Sequence, residues 1–161
     1  MMRVRHLLAL VGILAGAAAA TDAQAQVRFA PQVSFGSDSD LGIGARVNFG
    51  LTSLFRQPGF NGIASFDYFF PGNNVNYWEL NANLTYMIPG VRGNVAPYAG
   101  GGFNYGHVSV DNCTGCGNGD VGINLLGGLN FRTRTKLTPF IEGRLALGGG
   151  DQFVLTGGLY F

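Results

Sequence analysis

In the stretch WELNANLTY, Trp78, Leu80, Ala82, Leu84 and Tyr86 alternate with Glu79, Asn81, Asn83 and Thr85. A period of two is the spacing at which side chains change faces along a β-strand, so one face here is apolar and the other polar. The same split recurs in seven other segments after Gln26. Before WELNANLTY, the apolar positions are Val27, Phe29, Pro31, Val33 and Phe35, then Leu41, Ile43, Ala45, Val47 and Phe49, then Phe60, Gly62, Ala64, Phe66, Tyr68 and Phe70. After it they are Pro97 to Tyr105, Val121 to Phe131, Leu137 to Leu147 and Phe153 to Phe161, taken at every second residue. Each segment is about ten residues long, which a tilted strand needs to cross a bilayer. No helical period competes with this pattern, and no apolar run is long enough for a helical span.

Turn chemistry separates the segments into two sets. SDSD, PGNN, DNCTGCGNGD and GGGD form one set; LTSLFRQPG, PGVRGN and RTRT form the other. Consecutive antiparallel strands reverse direction, so the two sets lie at opposite ends. Their charges segregate accordingly. Asp38, Asp40, Asp111, Asp120 and Asp151 fall at one end, and Arg56, Arg92, Arg132, Arg134 and Lys136 at the other.

An eight-stranded antiparallel barrel encloses either an apolar cavity in a soluble carrier or a polar interior in a membrane protein. The polar face decides: Arg28, Gln32, Arg46, Asn48, Asn61, Asp67, Glu79, Asn81, Asn83, Asn104, Asn124, Asn130, Glu142 and Arg144 are amide-rich, lysine-free and charge-balanced. Charged residues make up 12% of the chain, sparse for a water-facing surface. A narrow closed interior in which every charge finds a partner has this composition. The apolar face collects aromatics at both strand ends, with Trp78 and Tyr86 separated by roughly 20 Å along the axis, as in the two aromatic girdles around a lipid-facing band. Residues 1–25 read as a cleavable signal, with basic Arg3 and Arg5, an apolar core from Leu7 to Ala20 and the small-x-small site Ala23-Gln24-Ala25. The expected organisation is signal peptide 1–25 followed by one barrel domain, 26–161.

The terminal Phe161 with alternating apolar residues before it, the PYAGGGFNY strand and the leader together resemble the small outer-membrane β-barrel proteins of Gram-negative bacteria, of the eight-stranded outer membrane protein A and X type. The resemblance covers the whole mature chain. It implies an all-β, eight-stranded, up-and-down transmembrane barrel in the bacterial outer membrane, with both termini in the periplasm. It also implies that the last strand, through Leu159 and Phe161, is the signal read by the barrel-insertion machinery, so that the chain ends where its closing strand ends. Glycines at Gly157 and Gly158 depart from the usual form of that signal.

Several constellations bear on chemistry. Cys113 and Cys116 are the only cysteines, and an exported chain would join them as a loop disulfide; neither a redox helix terminus nor enough ligands for zinc accompanies them. His107 with Ser109 invites comparison with lipid A deacylases, against the simpler reading of a rim histidine without a carboxylate to orient it. Gly100, Gly102 and Gly106 lack the following helix of a phosphate loop. Closing the third hairpin tightly sets Asp67 opposite Glu79, so Arg46, Arg144 or both must reach that pair, or one acid must take a proton. With Glu142, these five residues form the expected lumen network. It serves as a structural plug or as a transport site. Inward Gly42, Gly44, Gly100, Gly102, Gly106, Gly122 and Gly128 either make room for arginines from across the lumen or leave a water path.

The expectation is therefore a membrane scaffold with a structural or surface-interaction role and a plugged polar lumen, without catalysis, cofactor, metal centre or nucleic-acid partner. A narrow porin-like channel is the alternative, and a lipid A-modifying enzyme a third. Expected partners are outer-membrane lipid, lipopolysaccharide and the insertion machinery. Divalent cations at the acidic rim would bridge carboxylate to lipid phosphate, unless the aspartates serve only as turn formers.

Overall fold

Along Arg28–Gly36 burial switches at almost every residue, and the switch is opposite to that of a soluble protein. Gln32 and Ser34 are buried while Val33 and Phe35 are more than half exposed. The computed structural model describes residues 27–72, 75–91, 93–110, 117–148 and 151–161. The leader and Cys113 with Cys116 lie outside the described residues.

Eight strands follow in order: β1 (Arg28–Gly36), β2 (Asp40–Gly50), β3 (Phe60–Phe69), β4 (Val75–Met87), β5 (Val95–Val110), β6 (Gly117–Phe131), β7 (Thr138–Leu147) and β8 (Gln152–Tyr160). Each pairs antiparallel with its sequence neighbours, and β8 pairs back to β1, closing the barrel. The closure is tied at both ends. Ser37 N donates to Phe153 O at 2.8 Å beside the acidic turns, and Phe161 N to Phe29 O at 3.0 Å at the basic end. A fully closed sheet has no free edge to template aggregation.

The register also sets how side chains stack inside. From Arg28 the paired positions run Asn48, Ile63, Asn83, Gly102, Asn124, Ala146 and Gln152. The β8–β1 pairing then carries that row to position 38, ten residues beyond its start. Such a stagger tilts the strands by about 40° and leaves an interior that side chains can fill.

Two local features differ from the turn reading. Leu51 accepts from Leu54 N and Phe55 N, so the β2–β3 connection holds one helical turn, α1 (Thr52–Phe55), ended by Arg56 in the left-handed region at φ 53°. The β5–β6 hairpin pairs as far as Ser109 with Gly117, well past Tyr105 with Val121, so it rises beyond the apolar band. Its strands reach 16 and 15 residues rather than about ten.

Candidate functional site: the barrel interior

Two buried ion pairs cross the interior at different heights. Near the basic end, Arg46 of β2 grips Glu142 of β7 in a bidentate fork, Nη2 to Oε1 at 2.9 Å and Nη1 to Oε2 at 3.0 Å. The Arg46 guanidinium lies 4.2 Å above the centre of the Phe140 ring, and Tyr98 OH donates to Glu142 Oε2 at 2.7 Å. Planar guanidinium suits both contacts, the fork and the ring face. Toward the acidic end, Arg144 of β7 donates to Glu79 Oε2, while Tyr77 OH and Gln152 Nε2 both donate to Glu79 Oε1 at 2.6 Å. Glu79 is wholly buried. Its two oxygens thus have three donors, which is what a desolvated carboxylate requires.

Asp67 and Glu79 are cross-strand partners, as the hairpin reading placed them, yet they do not share their cations. Arg144 goes to Glu79, and Arg46 goes to Glu142. Asp67 Oδ1 instead accepts from Gln32 Nε2 at 2.6 Å and Ser34 Oγ at 2.8 Å. Gln32 Oε1 in turn accepts from Arg46 Nε, so one amide links the guanidinium to the carboxylate. Of the two arginines the hairpin reading offered, Arg144 is the one that reaches the pair, while the fork with Glu142 turns the terminal nitrogens of Arg46 toward β7 and leaves its Nε toward β1.

Asn124 ties the wall of β4 to β7. Its Nδ2 donates to Asn81 Oδ1 and Asn83 Oδ1, each at 2.9 Å, and its Oδ1 accepts from Arg144 Nη1 at 3.2 Å. Ser34 meets Thr156 at 3.0 Å, and Ser39 Oγ donates to Gln152 Oε1 at 2.7 Å. Three apolar clusters pack between these groups: Phe69, Tyr77 and Val154; Ile63, Tyr98 and Leu126; and Ala30, Phe140 and Tyr160.

Six inward glycines make way for rings, a carboxylate or the neighbouring strand rather than for arginines. A Cβ at Gly42 would lie 2.7 Å from the Phe69 ring, one at Gly128 2.5 Å from the Tyr98 ring, and one at Gly158 2.6 Å from the Phe140 ring. Gly44 faces Asp67 Oδ1 in the same way, at 2.5 Å. Gly100 and Gly102 are crowded by β4 itself, with Thr85 Cα at 2.8 Å and Asn83 Cα at 2.6 Å. Sequence reasoning missed the aromatic occupants Phe69, Tyr77, Tyr98 and Phe140. Alternation would have found all four, since Phe69, Tyr77, Tyr98 and Phe140 share parity with the inward Asp67, Glu79, Asn104 and Glu142.

The remaining candidates lie outside the lumen. His107 stacks on Trp78, ring centres 5.3 Å apart, with Tyr105 on the same Trp78 at 5.6 Å. Its β6 partner is Gly119, and that of Ser109 is Gly117, so no carboxylate among the described residues is hydrogen-bonded to either. At the rim, Asp38 accepts from Ser37, Asp120 from Asn118 and Asp151 from Gly148 N. Asp40 opens β2 at φ 58°, a backbone state that Asp tolerates. Leu159 pairs with Pro139, and Phe161 stands exposed beside β1.

This arrangement, apolar outside and polar within, is that of a transmembrane β-barrel. The comparisons agree on the class. No family model matches the sequence, and no curated protein matches it. Solved structures do match. The N-terminal β-barrel domain of Pseudomonas aeruginosa OprF is similar at a TM-score of 0.62 and 14% identity, covering 84% of this chain and 96% of that one. Neisserial surface protein A is similar at a TM-score of 0.53 and 16% identity, covering 83% and 91%. A de novo designed transmembrane β-barrel is similar at 0.56 and 14% identity, covering 84% and 92%. The fold is the closed eight-stranded barrel of the outer-membrane type. That a designed barrel shares it shows that the fold carries no particular activity.

Proposed function

We propose that this protein is a sealed outer-membrane scaffold with a structural or surface-interaction role and no catalysis, its basic turns and both termini toward the periplasm. The observation that carries the reading is the set of side-chain chords across the interior: Gln152 of β8 to Glu79 of β4, Arg46 of β2 to Glu142 of β7, Arg144 of β7 to Glu79. Each links strands that are not neighbours, and the rings of Phe69, Tyr98 and Phe140 fill the inward glycine positions between them. The β5–β6 hairpin is the element that rises above the bilayer to meet partners. Lipopolysaccharide around the acidic rim, with divalent cations bridging phosphate to carboxylate, and the insertion machinery reading Leu159 and Phe161 belong to the same proposal. Planar-bilayer recording tests it: a sealed barrel leaves the baseline flat, and reproducible stepwise openings contradict it.

One observation favours the narrow channel as a second reading. Asn104 is buried with neither amide atom partnered, and Asn81 Nδ2 opposite it is also free. Buried amides in this state call for water, which would follow the wall of β4, β5 and β6. The enzymatic reading has weaker support, since His107 is stacked rather than oriented by an acid. Expression of wild type and of His107→Ala with unchanged lipid A in both removes it.

A further inference from the structure

The lipid-facing wall is not uniformly convex. Pro31, Ala45 and Ala64 on β1, β2 and β3 form the floor of an apolar slot, with Phe29 and Phe161 on one side and Phe66 on the other. The slot has a volume of about 630 Å³. Small residues in three adjacent strands, between aromatics, leave a depression there. Below the slot the Phe49 ring covers Gly62, and past that ring β2 and β3 are joined by the segment that contains α1 and Arg56. From Ala64 down to Phe60 is about 13 Å along the strand. There Leu54 and Phe55 are exposed, and Arg56, in the left-handed conformation that ends α1, is exposed as well. No ion pair holds Arg56 among the described residues.

We propose that the slot binds one acyl chain of an anionic glycerophospholipid of the periplasmic leaflet, whose phosphate is met by Arg56. The apolar floor excludes water and takes a flexible hydrocarbon chain. Leu54 and Phe55 lie at the level where chain gives way to headgroup, and Arg56 supplies the complementary charge. A second copy of this chain fits less well. Two barrels in one membrane share their orientation, so a two-fold contact through this face sets the two Arg56 side chains against each other at one level.

The periplasmic assignment rests on the orientation given above, but the test does not. Purified barrel in micelles is titrated with dioleoyl phosphatidylglycerol or dioleoyl phosphatidylcholine, and retained lipid is read by native mass spectrometry. Wild type should retain one phosphatidylglycerol in preference to phosphatidylcholine. Arg56→Gln, in an exposed connection that needs no repacking, should reduce that preference by about fivefold. Ala64→Phe, checked for folding by its heat-modified mobility, should lose both lipids, and Ala45→Phe blocks the same floor from β2. The proposal is overturned if both blocked variants retain phosphatidylglycerol as wild type does, if Arg56→Gln keeps the full preference, or if the species lost on blocking is a dimer. None of these readouts depends on conductance or on orientation, which accessibility of the turns to protease in cells tests separately.

Discussion

Glu79 on β4 and Gln152 on β8 meet across the full width of the barrel, four strands apart in either direction, with Gln152 Nε2 donating to Glu79 Oε1 at 2.6 Å. Because Arg144 and Tyr77 converge on the same carboxylate, Glu79 is the knot of the upper interior. The barrel thus holds its shape through chords as well as through its hydrogen-bonded wall.

Cutting the knot strands a buried cation. Glu79→Gln keeps the size of the side chain but leaves Arg144 without a counter-charge, and should cost about 3 to 5 kcal/mol in urea unfolding from lipid vesicles. Replacing both partners, as in Glu79→Leu with Arg144→Leu, should cost less than the single change, since no uncompensated charge remains. Equal stability of Glu79→Gln and wild type would show that the pair is not desolvated.

Much of this was legible in the sequence, because a closed sheet converts alternation directly into inside and outside. Asp67 opposite Glu79 followed from one tight connection, and the observed register has that pairing. Which arginine meets which acid was not legible. Arg46 and Glu142 are 96 residues apart and meet only because the stagger of the closed barrel brings β2 and β7 to one height. The glycines were ambiguous for a related reason: whether Gly42 faces water, arginine or Phe69 depends on the neighbouring strand and not on its own. Asn124 shows the same limit. Its alternation says inward, but only the structure shows it wedged between Asn81, Asn83 and Arg144.

The glycine and its occupant should therefore be coupled. Gly42→Ala drives a methyl into the Phe69 ring and should destabilise by about 1 to 3 kcal/mol. In a Phe69→Leu background the same substitution should cost much less, since the three nearest atoms at that site all belong to the Phe69 ring. A double-mutant cycle in urea checks this, and strict additivity would remove the contact from the account.

Leu125 projects into lipid, more than half exposed, so Leu125→Arg should cost about 2 to 4 kcal/mol near the bilayer midplane. Asn124→Arg offers no harmless inward control, because the new guanidinium would crowd Arg144. The sharper comparison is Leu125→Ile, which keeps an apolar side chain outward and should unfold at nearly the wild-type urea concentration. If Leu125→Arg did so too, the outer face would not lie in lipid.

Deleting Phe161 removes the backbone donor that binds Phe29 O and the exposed ring beside it. Export should be unchanged, while the amount of heat-modifiable barrel in outer-membrane fractions falls. Equal amounts with and without Phe161 would mean that assembly does not read the last residue.

The acidic rim gives the last test. Asp38, Asp120 and Asp151 each accept a local hydrogen bond, and Asp40 occupies a left-handed turn position. Asparagine can accept the same bonds and adopt the same turn, but it carries no charge. Lipid phosphates repel a carboxylate rim unless a hard divalent cation, which takes oxygen ligands from both, lies between them. The expected outcome in lipopolysaccharide-containing membranes is that a chelator lowers the thermal stability of wild type. The variant with Asp38, Asp40, Asp111, Asp120 and Asp151 changed to Asn should not respond, because it neither repels phosphate nor needs a bridge. Melting followed by heat-modified mobility, with and without chelator, separates the two roles of each aspartate. An equal shift in both proteins would assign the aspartates to the turns alone.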